Sequence, residues 1–144
     1  MENRKVFARV SVRPDSIDPA ALLAEVGRPS AGAILLFLGT ARDHSEGKPT
    51  ITELEYEAYP EMVEAKLAEV VEQAVGRWDL EAVVVEHRVG TVALGEPSVA
   101  IAVAAAHREE AFSAGRFLID ELKSRVPIWK KEHWAGGGEW VKGA

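Results

Sequence analysis

The chain contains no cysteine, which excludes disulfides, thiolate metal sites and any persulfide carried on the protein itself. Its four histidines, at positions 44, 87, 107 and 133, lack the close pairing of a zinc site, and no H-E-x-x-H occurs. Neither a metal nor any other cofactor is expected. Positive charge is in deficit, with 17 Lys and Arg against 23 Asp and Glu. A nucleic-acid surface is therefore not expected, because phosphate backbones are held by clustered cations. No apolar run approaches the roughly 18 residues of a membrane span, and the polar start M-E-N-R-K does not read as a signal peptide. The expectation is a cytoplasmic protein with no membrane contact. No G-x-G-x-x-G is present, and the spacing over 39–48 is wrong for a P-loop. The A-F-S-A-G run at 111–115 approaches a nucleophile elbow but falls in the middle of a helical pattern, so serine hydrolysis is not expected.

What is present is a globular composition, 47% hydrophobic and 28% charged. At 144 residues the chain is one domain of common size, able to bury roughly two-thirds of its unfolded surface. Alternation of Val6, Ala8, Val10 and Val12 predicts a first strand over 5–12. Asp18 can cap a short helix over 20–26, with Pro19 in its first turn and Gly27 at its end. The unbroken apolar run 31–38 predicts a central strand covered on both faces, and the polar stretch after it, 43–49, a mobile loop. Residues 51–58 alternate Glu53, Glu55 and Glu57 with Leu54 and Tyr56, a strand whose acidic face reads as a solvated edge.

Pro60 opens a long helix to 78, with Met62, Val63, Leu67, Val70, Val71, Ala74 and Val75 on its buried stripe. Strands are expected over 82–89 and 98–106, with a turn region over 90–97 between them. A third helix is expected over 109–126, and the glycine-loosened segment 135–144 reads as a flexible tail. Strands and helices mix without a strict βαβ repeat, so the fold class is α+β: helices packed on a mostly antiparallel sheet, in one domain over 1–144.

Cations gather at both ends of the third helix. At about 100° per residue its stripe is Ala111, Gly115, Leu118, Leu122 and Val126, and Lys123 falls on the border of that stripe. Pro127 cannot continue the helix, so the chain turns and Lys130 can return toward Lys123. Lys123 can serve as a dipole cap, its stem covered by neighbours, or as an amine whose pKa partial burial and nearby cations lower. At the other end, His107 and Arg108 oppose the helix dipole, which an incoming anion or Glu109 and Glu110 would offset. Arg42 follows the strand over 31–38 and suits either a phosphate clamp or a plain surface position. Of the pair His87 and Arg88, in a strand, one is expected to face inward, hydrogen-bonded.

Taken together, these segments resemble the large, catalytic subunit of molybdopterin synthase. They are G-T-A-R-D-H at 39–44, Glu55 through Y-P-E-M at 59–62, H-R-V-G at 87–90, G-E-P-S-V at 95–99, H-R-E-E-A-F at 107–112 and L-K-S-R-V-P-I-W-K-K-E at 122–132. The resemblance implies an α/β-hammerhead-type α+β fold and a homodimer. Each copy would bind a small, ubiquitin-like sulfur-carrier subunit, giving a heterotetramer. The carrier's Gly-Gly C-terminus, as a thiocarboxylate, would enter a pocket and deliver two sulfurs in succession to cyclic pyranopterin monophosphate. The family's catalytic lysines match Lys123 and Lys130. Its substrate-pocket residues match Arg42, His107 and Arg108, the last two reaching the pocket across the dimer. The rival reading is a non-catalytic dimeric scaffold that holds a carrier tail or an anionic metabolite.

Overall fold

A computed structural model of the chain describes residues 5–142. The elements run β1 (Phe7–Arg13), α1 (Pro19–Val26), β2 (Ala33–Thr40), β3 (Ile51–Glu57), α2 (Pro60–Arg77), β4 (Leu80–Arg88), β5 (Gly90–Ala93), β6 (Pro97–Ala105), α3 (Arg108–Arg125), β7 (Trp129–Trp134) and β8 (Gly137–Lys142). The first sheet has the order β1-β4-β6-β2 and the second β5-β3-β7-β8. Only β1 and β4 pair in parallel; every other neighbouring pair is antiparallel. This is the α+β, mostly antiparallel arrangement anticipated from the sequence.

The inner strands of the first sheet are buried on both faces, which is why the middles of β4 and β6 read as runs of Val, Ile and Ala. Val83, Val85, Ile101 and Val103 join the cluster that contains Leu67 of α2 and Leu118 of α3. The opposite face presents Ala82, Val84, Ala100, Ala102 and Ala104 to Leu22 and Val26 of α1. The small alanines on that side leave room for the short helix. Asp18 accepts from the backbone N–H groups of Ala20 and Ala21, at 3.1 and 3.4 Å, and so starts α1. The larger cluster continues into the second sheet through Ile51, Leu54, Tyr56 and Val92, so both sheets share one core.

Several expectations need correction. Residues 33–40 form the edge of the first sheet instead of an inner strand, and Ile34 stands 46% exposed. An apolar run reports burial but not position within a sheet. Glu53, Glu55 and Glu57 lie on β3, which is flanked by β5 and β7 and is no edge. Met62 leaves the buried stripe of α2 and is 58% exposed. Part of the 90–97 turn region is strand β5, paired to β3. The tail expected to be flexible over 135–144 is instead a strand through Lys142, paired in a hairpin to β7. Its glycines supply the hairpin turn, with Gly136 at φ +89°. Residues 143 and 144 of that tail lie outside the described residues.

Candidate active site

The C-terminal end of α3 explains how the two lysines meet. Val126 leaves the helix in extended backbone (φ −90°, ψ 126°), as a residue before proline prefers. The chain reverses at Pro127 and enters β7, which pairs antiparallel with β3 and sets Lys130 opposite Tyr56 and Glu132 opposite Leu54. Side chains alternate along a strand, so Lys130 and Glu132 share one face. Both line a cleft of about 310 Å³ together with Lys123 from α3, Arg42, His44 and Ser45 from the β2–β3 connection, Tyr56 from β3 and Ser98 from β6. Strand β2 contributes Phe37 and Gly39 to the same wall.

Four cations (Arg42, Lys48, Lys123 and Lys130) and one buried carboxylate set the electrostatics. Glu132 is 4% exposed. Its Oε1 lies 2.6 Å from Lys48 Nζ, and its Oε2 lies 3.9 Å from Lys130 Nζ. Burial pushes the Glu132 pKa up, but the hydrogen bond from Lys48, the charges of Lys130 and Lys48 and a hydrogen bond from Ser45 hold it below the ordinary carboxylate value. Burial lowers the pKa of Lys130; Glu132 opposes that, while Lys123, Arg42 and Lys48 add to it. The Tyr56 phenol is raised, chiefly by burial, and it hydrogen-bonds Ser98. Ser98 in turn donates to the Gly39 carbonyl at 3.3 Å.

Beneath the cleft lies His87, 1% exposed and edge-on to Tyr56 at 5.2 Å between ring centroids. Its Nδ1 is 2.8 Å from the Arg88 carbonyl. A carbonyl only accepts, so Nδ1 carries the proton and Nε2 is left as an acceptor; no group hydrogen-bonds to that Nε2. Burial, with the positive charge of Lys123 acting the same way, pushes His87 down to about 4, so the ring is neutral near pH 7. The expectation that one of the pair at 87 and 88 faces inward holds for His87. Arg88 is paired with Glu96 at 3.2 Å.

Arg42, Lys123 and Lys130 are thus brought to one cleft within a single chain, whereas His107 and Arg108 are not. They line a separate cleft of about 410 Å³ with Gly32, Ala106 and Glu109. The reason is length: α3 has 18 residues, roughly 27 Å at 1.5 Å per residue, so its two ends cannot share one small pocket. Gly32 donates its N–H to the Ala105 carbonyl at 3.0 Å. A Cβ on Gly32 would stand 2.3 Å from the Ala106 carbonyl oxygen, so only glycine permits that approach. The small residues before His107 therefore admit another backbone.

Sequence reasoning gave no role to Tyr56, Ser98, Lys48 or Glu132. Glu132 was legible had 129–134 been read as a strand, because Lys130 and Glu132 then fall two apart. Trp129 is half-exposed beside Tyr59, Met62, Pro127 and Trp140 on an apolar groove of about 550 Å³. Among the described residues no group of three His, Asp or Glu is placed to hold a metal ion. No described helix is long and apolar enough to cross a membrane.

The family model described as MoaE protein matches residues 12–125. The molybdopterin synthase catalytic subunit of Halalkalibacterium halodurans is 41% identical over 133 residues, covering 92% of this chain and 85% of that one. Molybdopterin synthase from Staphylococcus aureus superposes with a TM-score of 0.86 at 32% identity, covering 91% of this chain and 95% of the other. A chain from the complex of subunits 1 and 2 of the molybdopterin-converting factor of Helicobacter pylori shares the fold, with a TM-score of 0.74, 19% identity and coverage of 93% and 89%.

Proposed function

The chain belongs to the MoaE protein family, and from that premise we propose how it works as the catalytic subunit of a molybdopterin synthase, a sulfurtransferase of molybdenum cofactor biosynthesis. Its substrate is cyclic pyranopterin monophosphate, and its sulfur comes from the thiocarboxylated Gly-Gly terminus of a small, ubiquitin-like carrier subunit. The absence of cysteine supports an external donor, since no residue of this chain can carry sulfur as a persulfide. The observation that carries the reading is the meeting of Arg42, Lys123 and Lys130 in one cleft. Three cations there suit a substrate phosphate and a carrier thiocarboxylate, both anions.

Lys123 acts as acid and base at the pterin carbons. Once the carrier's sulfur is bonded to a pterin carbon, the Lys123 amine takes the carrier's acyl group as the acyl C–S bond breaks, and the sulfur stays on the pterin as a thiolate. Water then cleaves the acyl–lysine bond to release the carrier as a carboxylate. Lys130, as an ammonium, stabilises the negative charge that develops on the thiocarboxylate or phosphate. His107 and Arg108 complete the pocket from a second copy of the chain. Their distance from Lys123 along one helix supports that arrangement: a homodimer with two composite sites, each taking one carrier, in a heterotetramer. The reaction takes place in the cytoplasm.

The test mixes the purified chain with thiocarboxylated carrier and the cyclic pterin and reads the dithiolene product by mass. Lys123→Ala should retain dimer and carrier binding and lose about 10²–10⁴-fold in rate, the range of general acid–base catalysis. Mixing Lys123→Ala with Arg108→Ala chains should restore part of the product, because one composite site in the mixed dimer is intact. Near-normal turnover by Lys123→Ala would refute the assignment. A non-catalytic scaffold would leave the pterin unchanged in every mixture.

A further inference from the structure

The β7–β8 register sets Glu132 directly opposite Glu139. Like charges facing each other across a sheet are destabilising, so this hairpin needs a cation. It receives one from outside: Lys48, on the β2–β3 connection, reaches Glu132 Oε1 at 2.6 Å and Glu139 Oε2 at 3.0 Å. Ser45 of the same connection also hydrogen-bonds Glu132. The second oxygen of Glu132 lies 3.9 Å from Lys130 Nζ, longer than a charge-assisted hydrogen bond. One carboxylate is thus shared unequally between two ammonium groups. The nearer is Lys48, and the farther is the lysine that faces the substrate cleft.

We infer that Lys48 is a positioning residue that governs Lys130: by claiming Glu132 it keeps that carboxylate from fully neutralising Lys130, and so leaves positive charge available to an incoming anion. The assignment of Lys130 to that anion rests on the function proposed above; the sharing of Glu132 does not. Lys130 faces Glu132 on its own strand, Lys123 from α3, Arg42 and Lys48 from the β2–β3 connection, and Tyr56 across from β3. Among these, Lys48 is the group whose removal changes two influences at once. It takes away a neighbouring positive charge, and it releases Glu132 toward Lys130. Both favour the ammonium form of Lys130. Loss of Glu139 acts oppositely, because Lys48 then carries its charge unopposed on that side and leans on Glu132 alone.

The opposed signs separate this role from that of a simple clamp on the hairpin. The experiment labels the full chain with limiting acetic anhydride across pH, scores Lys130 by peptide mass and uses exposed Lys66 as the internal reference. In Lys48→Met the midpoint of the Lys130 profile should move to higher pH, and labelling at pH 8 should fall on the order of threefold, following the smaller free-amine fraction. In Glu139→Gln the midpoint should move to lower pH, and Lys48→Arg should keep the wild-type profile. A clamp that only held the loop would move both variants the same way or neither, and either result overturns the inference. Opposed shifts combined with normal turnover by Lys130→Ala would leave the charge sharing standing and remove the proposed role of Lys130 in catalysis.

Discussion

The two sheets of this molecule are built from different materials. In the first, β4 and β6 are buried along almost their whole length, and their middles are the apolar runs A-V-V-V and V-A-I-A-V-A-A. In the second, β3 alternates glutamates with Leu54 and Tyr56, and β7 carries Lys130, Lys131, Glu132 and His133 in succession. Helices cover both faces of the first sheet, and its charged groups are paired: Glu86 of β4 lies 2.6 Å from Arg9 of β1, and Arg88 lies 3.2 Å from Glu96. The second carries the wall of a cleft: on that face Glu132 lies near Lys48 and Lys130, and on the opposite face Glu55 pairs with His133 at 3.0 Å. One sheet holds the fold together and the other holds reactive groups in place. The separation is one of weight, since the cleft also draws Ser98 from β6 and Phe37 and Gly39 from β2 of the first sheet.

That division can be broken experimentally. The largest effect on stability belongs to the helix-covered sheet. Leu67→Ala, in the core on α2, should cost about 2–5 kcal/mol in urea denaturation and leave turnover per folded molecule unchanged. A matching loss of turnover would show that the two regions are not independent.

His87 sits at the seam, on β4 but against Tyr56 of β3. Its folded-state value of about 4 lies below its ordinary 6.5, so the unfolded chain binds the proton first as pH falls. Stability from this group is complete above about pH 6.5 and declines toward pH 4, by up to about 3 kcal/mol. Between pH 7 and 4.5 the denaturation midpoint of wild type should fall more steeply than that of His87→Gln, so that the gap between the two narrows as pH falls; parallel profiles would overturn the assignment. The carboxylate of Glu25, held low by its hydrogen bond from Arg9, loses its contribution only as pH falls below the ordinary carboxylate value of 4.5, a lower window. The smallest effect belongs to the outer hairpin of the working sheet. Lys131→Ala, which removes a cation 5.6 Å from the Trp140 ring, should lower thermal stability by about 0.5 kcal/mol. Hydrogen exchange should rise in β8 and not in β4.

Much of this was legible from residue patterns. Asp18, Pro19 and Gly27 marked the limits of α1 because caps and proline act locally. The third helix and its stop at Pro127 followed from periodicity and from the missing N–H. Strands β7 and β8 were not legible: W-K-K-E-H-W places polar residues on both faces and so shows no apolar alternation, and G-G-G-E-W looks unstructured until it has a partner strand. Met62 misled for a related reason, since a helical stripe tells which side faces in but not how far along the helix the neighbour extends.

What the amino-acid order determined alone was the set of elements with local causes, the lack of any cysteine, and the presence of cations near both ends of one helix. Only the assembled structure decided which of them meet. The turn at Pro127 and the pairing of β7 with β3 bring Lys130 to Lys123 and Arg42, while the rigid length of α3 keeps His107 and Arg108 away. Sequence patterns register nearest neighbours along the chain, whereas the sharing of Glu132 by Lys48 and Lys130 joins residues 84 positions apart, a contact that exists only once both strands and the intervening connection are in place.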